Sequence, residues 1–250
     1  MPGYRTGDNT TVPSAGESFR TVKAAGPGTA VWIIPATFVT HSTGSLVTGK
    51  AAVERSRLES FSDGVFAVAI TLLALNLTIE GPGHGTLLHQ LAHHWPAFVA
   101  YVISFFTIGI IWVNHHTLIA NIAVVNRTLL FLNLLLLLII VAIPFVTATM
   151  AAYLTAGGQD AHVAAALYAG TFELMGLAFT GVLEWALHED QRLHQPVPAA
   201  ARTTVRTRFY IGQLPYLIAV GVAFISAPAS VIITALVAIY YGYERTPSRN

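Results

Sequence analysis

The sequence contains no cysteine, which excludes disulfide bonds and thiolate metal sites. Charge is nearly as scarce. Asp, Glu, Lys and Arg together make up 10% of the 250 residues, whereas a soluble domain carries roughly a quarter. Apolar residues reach 54% and mean hydropathy is +0.61, so most of the chain cannot face water and a membrane protein is implied. Sequence patterns of catalysis are also missing: there is no nucleophile elbow, Walker sequence, dinucleotide fingerprint or His-Glu-x-x-His pair. No enzyme activity, catalytic residue or cofactor is therefore expected. The net charge of +1 gives no reason to expect nucleic-acid binding, because membrane topology already accounts for the basic residues.

What the chain does have is long apolar segments. A helix crossing the hydrocarbon needs about 20 predominantly apolar residues, and stretches of that kind lie at 61–79, 96–114, 128–150, 162–187, 209–226 and 229–243. Each is too long for a core strand and lacks the alternation of a barrel strand. The fold class expected is all-α, a polytopic membrane protein with six transmembrane helices per subunit. All 13 Lys and Arg residues fall in segments that six alternating crossings place on one side. They are Arg5, Arg20, Lys23, Lys50, Arg55 and Arg57, then Arg127, then Arg192, Arg202, Arg206 and Arg208, and finally Arg245 and Arg249. Positive loops stay cytoplasmic, so a multi-pass protein of the cell membrane with both termini cytoplasmic is expected.

Residues 1–50 stand apart from this pattern. They are rich in Gly, Thr, Ser and Pro, and their one apolar stretch, 30–39, is short and interrupted by Pro35. They read as a disordered cytoplasmic extension, followed by a transmembrane domain at 51–245 and a short tail at 246–250. The linker 188–208 is polar, with Pro196 and Pro198 breaking any long helix.

Arg57-Leu58-Glu59-Ser60-Phe61-Ser62-Asp63 runs without a break into the apolar 64–77, so a charged and polar cluster opens the first membrane helix. With the following Gly-Val-Phe-Ala-Val-Ala-Ile-Thr-Leu-Leu-Ala-Leu, the pattern Arg-x-x-x-Phe-Ser-Asp resembles the first helix of bacterial homologues of the endosomal and lysosomal potassium channel, transmembrane protein 175. The likeness extends over some twenty residues of this region. That family also places Trp and His near the end of its second helix, and an Asn followed by Leu residues and Pro-Phe in its third. Here these read as Trp112, His115 or His116, Asn133, Pro144 and Phe145.

The resemblance implies a potassium channel with K+ as permeant ion, membrane lipids as surroundings and other copies of the chain as partners. Val68, Thr71, Leu72, Leu75 and Ile79 recur at steps of three and four residues on one helical stripe, and in the family the equivalent stripe lines the pore. Val68, Thr71, Leu72 and Leu75 are thus the expected pore and hydrophobic-gate residues. Val68 departs from the Ile or Leu that relatives tend to place there, which moves the narrowest point toward Leu72 or Leu75. No Thr-Val-Gly-Tyr-Gly carbonyl filter occurs in the chain. One helix encloses nothing, and since animal members carry two six-helix repeats and pair as dimers, a single repeat implies a homotetramer with the first helix around a central pore.

Arg57, Phe61, Ser62, Asp63, Trp112, His115, His116 and Asn133 are expected to organise the cytoplasmic ends of the helices. Arg57, the two His, Trp112 and Asn133 are possible donors to a buried Asp63. Arg57 and Asp63 are six apart and do not face each other on a helix. Glu173 and Glu184 share a face of the fourth helix, and a proton-coupled secondary transporter using Glu173 is the alternative function. His84, His89, His93 and His94 read as an exposed amphipathic connection and not as a metal site, although His89 and His93 stand at i and i+4.

Overall fold

A computed structural model describes residues 47–243. Most of the N-terminal extension and all of the tail at 246–250 lie outside the described residues. The elements are α1 (Val47–Leu75), a short α2 (Leu87–His93), α3 (Trp95–Ala120), α4 (Arg127–Leu154), α5 (Gly158–His188), a 3-10 turn at Asp190–Arg192, α6 (Ala199–Ala223) and α7 (Ala227–Tyr243). Local chemistry sets several of the boundaries. The Asn126 side chain accepts from Leu129 N at 2.9 Å and caps α4, and Pro96 sits in the first turn of α3, where its missing N–H costs nothing. Gly157 and Gly158, with φ of 70° and 69°, make the tight reversal from α4 to α5 that an L side chain resists.

Val53–Leu75, Trp95–Ala120, Arg127–Leu154 and Gly158–His188 are long and apolar enough to cross a membrane, and Ala227–Tyr241 is a shorter apolar helix. α4 and α5 are central. α1 packs on α3 and α4, while α5, α6 and α7 pack on one another and α3 also reaches α7. The buried interior is apolar, with Phe66, Leu136, Ile140, Phe172 and Phe179 among its fully covered side chains.

The starts of two helices differ most from the sequence reading. α1 begins at Val47, inside the segment read as extension, and its polar first turns precede the apolar run. α6 begins at Ala199, so residues 199–208 of the expected linker are helical. Pro198 ends the loop without breaking the helix, because proline is tolerated at a helix start. Ion pairs of Arg202 with Asp190 and of Arg206 with Glu184, the latter at 2.8 Å, tie these turns to α5 and its following turn. What remains of the linker docks on the α3–α4 connection: Ala123 N donates to Arg192 O at 2.8 Å and His194 N to Asn121 O at 3.0 Å.

Candidate functional site

α1 has two faces. Leu58, Ser62, Phe66, Ala69 and Leu73 are buried at steps of four, four, three and four, which makes one helical stripe against α3 and α4. Phe61, Val68, Thr71, Leu72 and Leu75 are exposed on the other side. Thr71 follows Ser62 by nine positions, about two and a half turns, and so lies opposite the middle of the buried stripe. Its hydroxyl donates to Val68 O at 2.9 Å. Ile79 does not continue this stripe, because α1 ends at Leu75. Beyond the end, Asn76 Nδ2 donates to Pro144 O at 3.2 Å, and the chain enters a connection with Gly81, Gly83 and Gly85 at positive φ.

The middle of α1, where its polar half gives way to the apolar run, carries a hydrogen-bonded chain. His115 Nε2 donates to Asn133 Oδ1 at 2.7 Å, Asn133 Nδ2 to Ser62 Oγ at 3.0 Å, and Ser62 Oγ to Leu58 O at 2.9 Å. All three side chains are buried, so α1, α3 and α4 are joined by polar contacts inside an apolar core. Phe66 packs beside the imidazole with ring centroids 5.4 Å apart. A second contact set lies next to it: Trp112 Nε1 donates to Asp63 Oδ1 at 2.8 Å, and His116 Nδ1 faces Glu59 Oε1 at 2.9 Å.

This differs in part from the expected donor set for Asp63. Asp63 is half-buried, and of the expected donors Trp112 reaches it. The buried centre is Ser62, which takes Asn133, and Asn133 takes His115. Arg57 is exposed and, with Phe61, lines an open groove between α1 and the start of α4 that also includes Glu54, Asn126 and Arg127. Six positions of helix put Arg57 on another side, as the spacing requires.

Sequence reasoning missed two participants. Glu59 stands four before Asp63 on the same face, a spacing that could have marked it. Arg55 donates from Nη1 to Ile122 O at 3.2 Å, to Ala120 O at 3.4 Å and to His194 Nε2, contacts that depend on how distant loops fold and leave no local signal. His194 lies outside the helices, and burial first, then the Arg55 guanidinium, hold its pKa below the ordinary value of 6.5.

Of the two acidic residues of α5, Glu184 pairs with Arg206. Glu173 is half-buried, and its Oε2 has no hydrogen-bond partner among the described residues. His84, His89 and His93 are exposed and His94 half-buried. His89 and His93 stack with centroids 6.4 Å apart.

Long apolar helices, joined inside the bundle by a buried hydrogen-bonded chain, define a multi-pass α-helical membrane protein. A family model described as the endosomal/lysosomal potassium channel TMEM175 matches residues 57–144, from the motif Arg to the Pro of α4. A potassium channel of Streptomyces collinus is 46% identical over 196 residues, covering 78% of this chain and 94% of that one. The crystal structure of a lysosomal potassium-selective channel TMEM175 homologue from Chamaesiphon minutus superposes with a TM-score of 0.68 at 33% identity, covering 78% of this chain and 99% of that chain. The endosomal/lysosomal proton channel TMEM175 of Gallus gallus is 37% identical over 101 residues, 37% of this chain and 20% of its own length. The chain belongs to the TMEM175 family.

Proposed function

We propose that the protein is a potassium-selective or potassium-preferring cation channel of the cell membrane, a homotetramer with four copies of α1 around a central pore. The observation that carries this reading is the two-sided α1. A membrane-length helix buries one stripe against its own subunit and leaves Val68, Thr71, Leu72 and Leu75 exposed on the other. Four such faces around an axis bring apolar rings together with a ring of Thr71 hydroxyls among them. An apolar constriction gives an ion no ligands for its lost water and can empty when narrow. Potassium sheds water more cheaply than sodium, so a barrier that requires partial dehydration favours it.

The one-sided Lys and Arg placement supports six crossings with both termini cytoplasmic, the fifth and sixth being the apolar part of α6 from Phe209 and α7. The motif end of α1 then lies at the cytoplasmic rim. Purified protein in a planar bilayer between potassium and sodium solutions should give unitary currents whose reversal potential shifts toward potassium. Currents with no preference, or none at all from well-folded protein, would discard the reading.

A proton-coupled carrier working through Glu173 is the second reading. Its support is the buried Glu173 Oε2 at membrane depth, with no hydrogen-bond partner among the described residues. Glu173→Gln should then abolish proton-coupled flux; unchanged currents in that variant leave the channel reading alone.

A further inference from the structure

Glu59 and Asp63 occupy one face of α1 at i and i+4, a spacing at which like charges repel. No Lys or Arg answers them among the described ion pairs: Glu59 faces His116, and Asp63 accepts from Trp112. Ligand-capable atoms of Glu59, Asp63 and His116 all lie within 4.8 Å of one another. We propose that these three side chains form a binding site for a divalent transition-metal ion of the zinc class, bridging α1 and α3.

Donor chemistry selects the ion. An imidazole with two carboxylates suits zinc or cobalt. Calcium takes six to eight oxygens and magnesium prefers oxygen and water, so a site centred on His116 Nδ1 fits neither. Tetrahedral zinc, with bonds of about 2.1 Å, holds its ligand atoms about 3.4 Å apart. His116 Nδ1 and Glu59 Oε1 already stand 2.9 Å apart, and a rotation of the Asp63 carboxylate within the 4.8 Å limit completes three ligands. His116, whose side chain is 49% exposed, leaves the fourth position open to water.

The surroundings are those of an oriented site. Trp112 Nε1 holds Asp63 through Oδ1, leaving Oδ2 for an ion, and the Trp112 ring lies 5.9 Å from that of His116. Behind them the buried His115 Nδ1 has no hydrogen-bond partner among the described residues. Groups that orient metal ligands are worth 10- to 100-fold in affinity. The bound ion ties the helix with the exposed Val68–Leu75 stripe to α3. It does so about three turns of α1 before Leu75, with no residue shared with the stripe, so the site and the pore reading fail separately.

The test is zinc titration of tag-free, full-length protein, with cobalt absorption as a second readout of the donor set. Wild type should bind one equivalent per chain that His116→Asn and Glu59→Gln each lose, and Trp112→Phe should weaken it about 10-fold. The double variant His89→Asn/His93→Asn removes the competing histidine pair and should retain that equivalent. Glu59→His keeps three donors and should bind at least as tightly as wild type, which separates ligand loss from misfolding. An unchanged stoichiometry and Kd in both His116→Asn and Glu59→Gln, or loss of the equivalent only in the His89/His93 variant, would overturn the site.

Discussion

Among individual residues, Asn133 has the most to lose. It spans His115 and Ser62 within buried surroundings, so Asn133→Ala leaves a buried donor and acceptor unanswered and should cost about 1–3 kcal/mol, read as a lowered unfolding temperature in detergent. Arg57→Ala removes an exposed side chain and should leave subunit stability within about 0.5 kcal/mol; any loss should appear in tetramer yield on size exclusion. A collapse of the Arg57→Ala subunit itself would show that Arg57 holds a structural contact within one subunit. On the opposite face, Leu72→Asn or Leu75→Asn replaces a dewetting surface with oxygen ligands. Both ions should then pass more readily, and the shift of reversal potential between potassium and sodium should shrink. Ala69 is a poor control for this experiment because it is fully buried in the α1 packing stripe. Val163→Thr on α5, 55% exposed, is a better one and should do little.

At the scale of elements, the start of α1 is latched to two loops at once. Arg55 donates to Ala120 O at the end of α3, where the helix dipole favours a cation, to Ile122 O just beyond it, and to His194 on the α5–α6 connection. The neutral imidazole accepts that bond. Its pKa is lowered in the folded state, so the undocked segment binds a proton more readily than the docked one. The latch contribution is therefore complete above the ordinary value of about 6.5 and is lost as pH falls from there through the lower folded value. The protection factors against hydrogen exchange at the Ala123 and His194 amides, which bond to Arg192 O and Asn121 O, should fall on acidification over that window. His194→Gln keeps an acceptor and should abolish the pH dependence. An equal fall in protection factor in wild type and His194→Gln would show that another group controls the loops.

For the molecule as a whole, topology is the first thing to test. Single cysteines in this cysteine-free chain report sidedness cleanly if they do not strain the backbone. Gly83 and Gly157 are unsuitable, with φ of 103° and 70°, whereas His84 and Gln159 are exposed without that restriction. His84→Cys and Gln159→Cys should both react with an impermeant thiol reagent from outside the cell, and labelling of either one only from the cytoplasmic side would reverse or break the six-crossing order. One subunit leaves Val68, Leu72 and Leu75 of α1 uncovered, and the tetramer proposed above would turn that surface inward.

The sequence by itself determined that the chain is helical and membrane-embedded, because hydropathy and helical period are local properties that survive any packing. It also put Val68, Thr71, Leu72 and Leu75 on one face of α1, though not the end of the helix short of Ile79, since steps of three and four residues fix which side chains share a face whatever stands opposite. The Arg-x-x-x-Phe-Ser-Asp run pointed to the family for the same reason: a motif is legible without coordinates. Tertiary structure decided the pairings. Asp63 as the buried centre was the natural expectation for a charged residue in a motif, yet Ser62 is the residue turned inward, because it shares the stripe of Leu58 and Phe66, and α3 and α4 meet α1 there. The assignment of His115 to Asn133 and of its neighbour His116 to Glu59 follows from successive residues of a helix pointing about 100° apart, which sends one imidazole into the core and the other to the rim. The reach of Arg55 to His194, 139 positions away, depends on two loops folding against each other, and no local pattern encodes the side chain that will stand across such a gap.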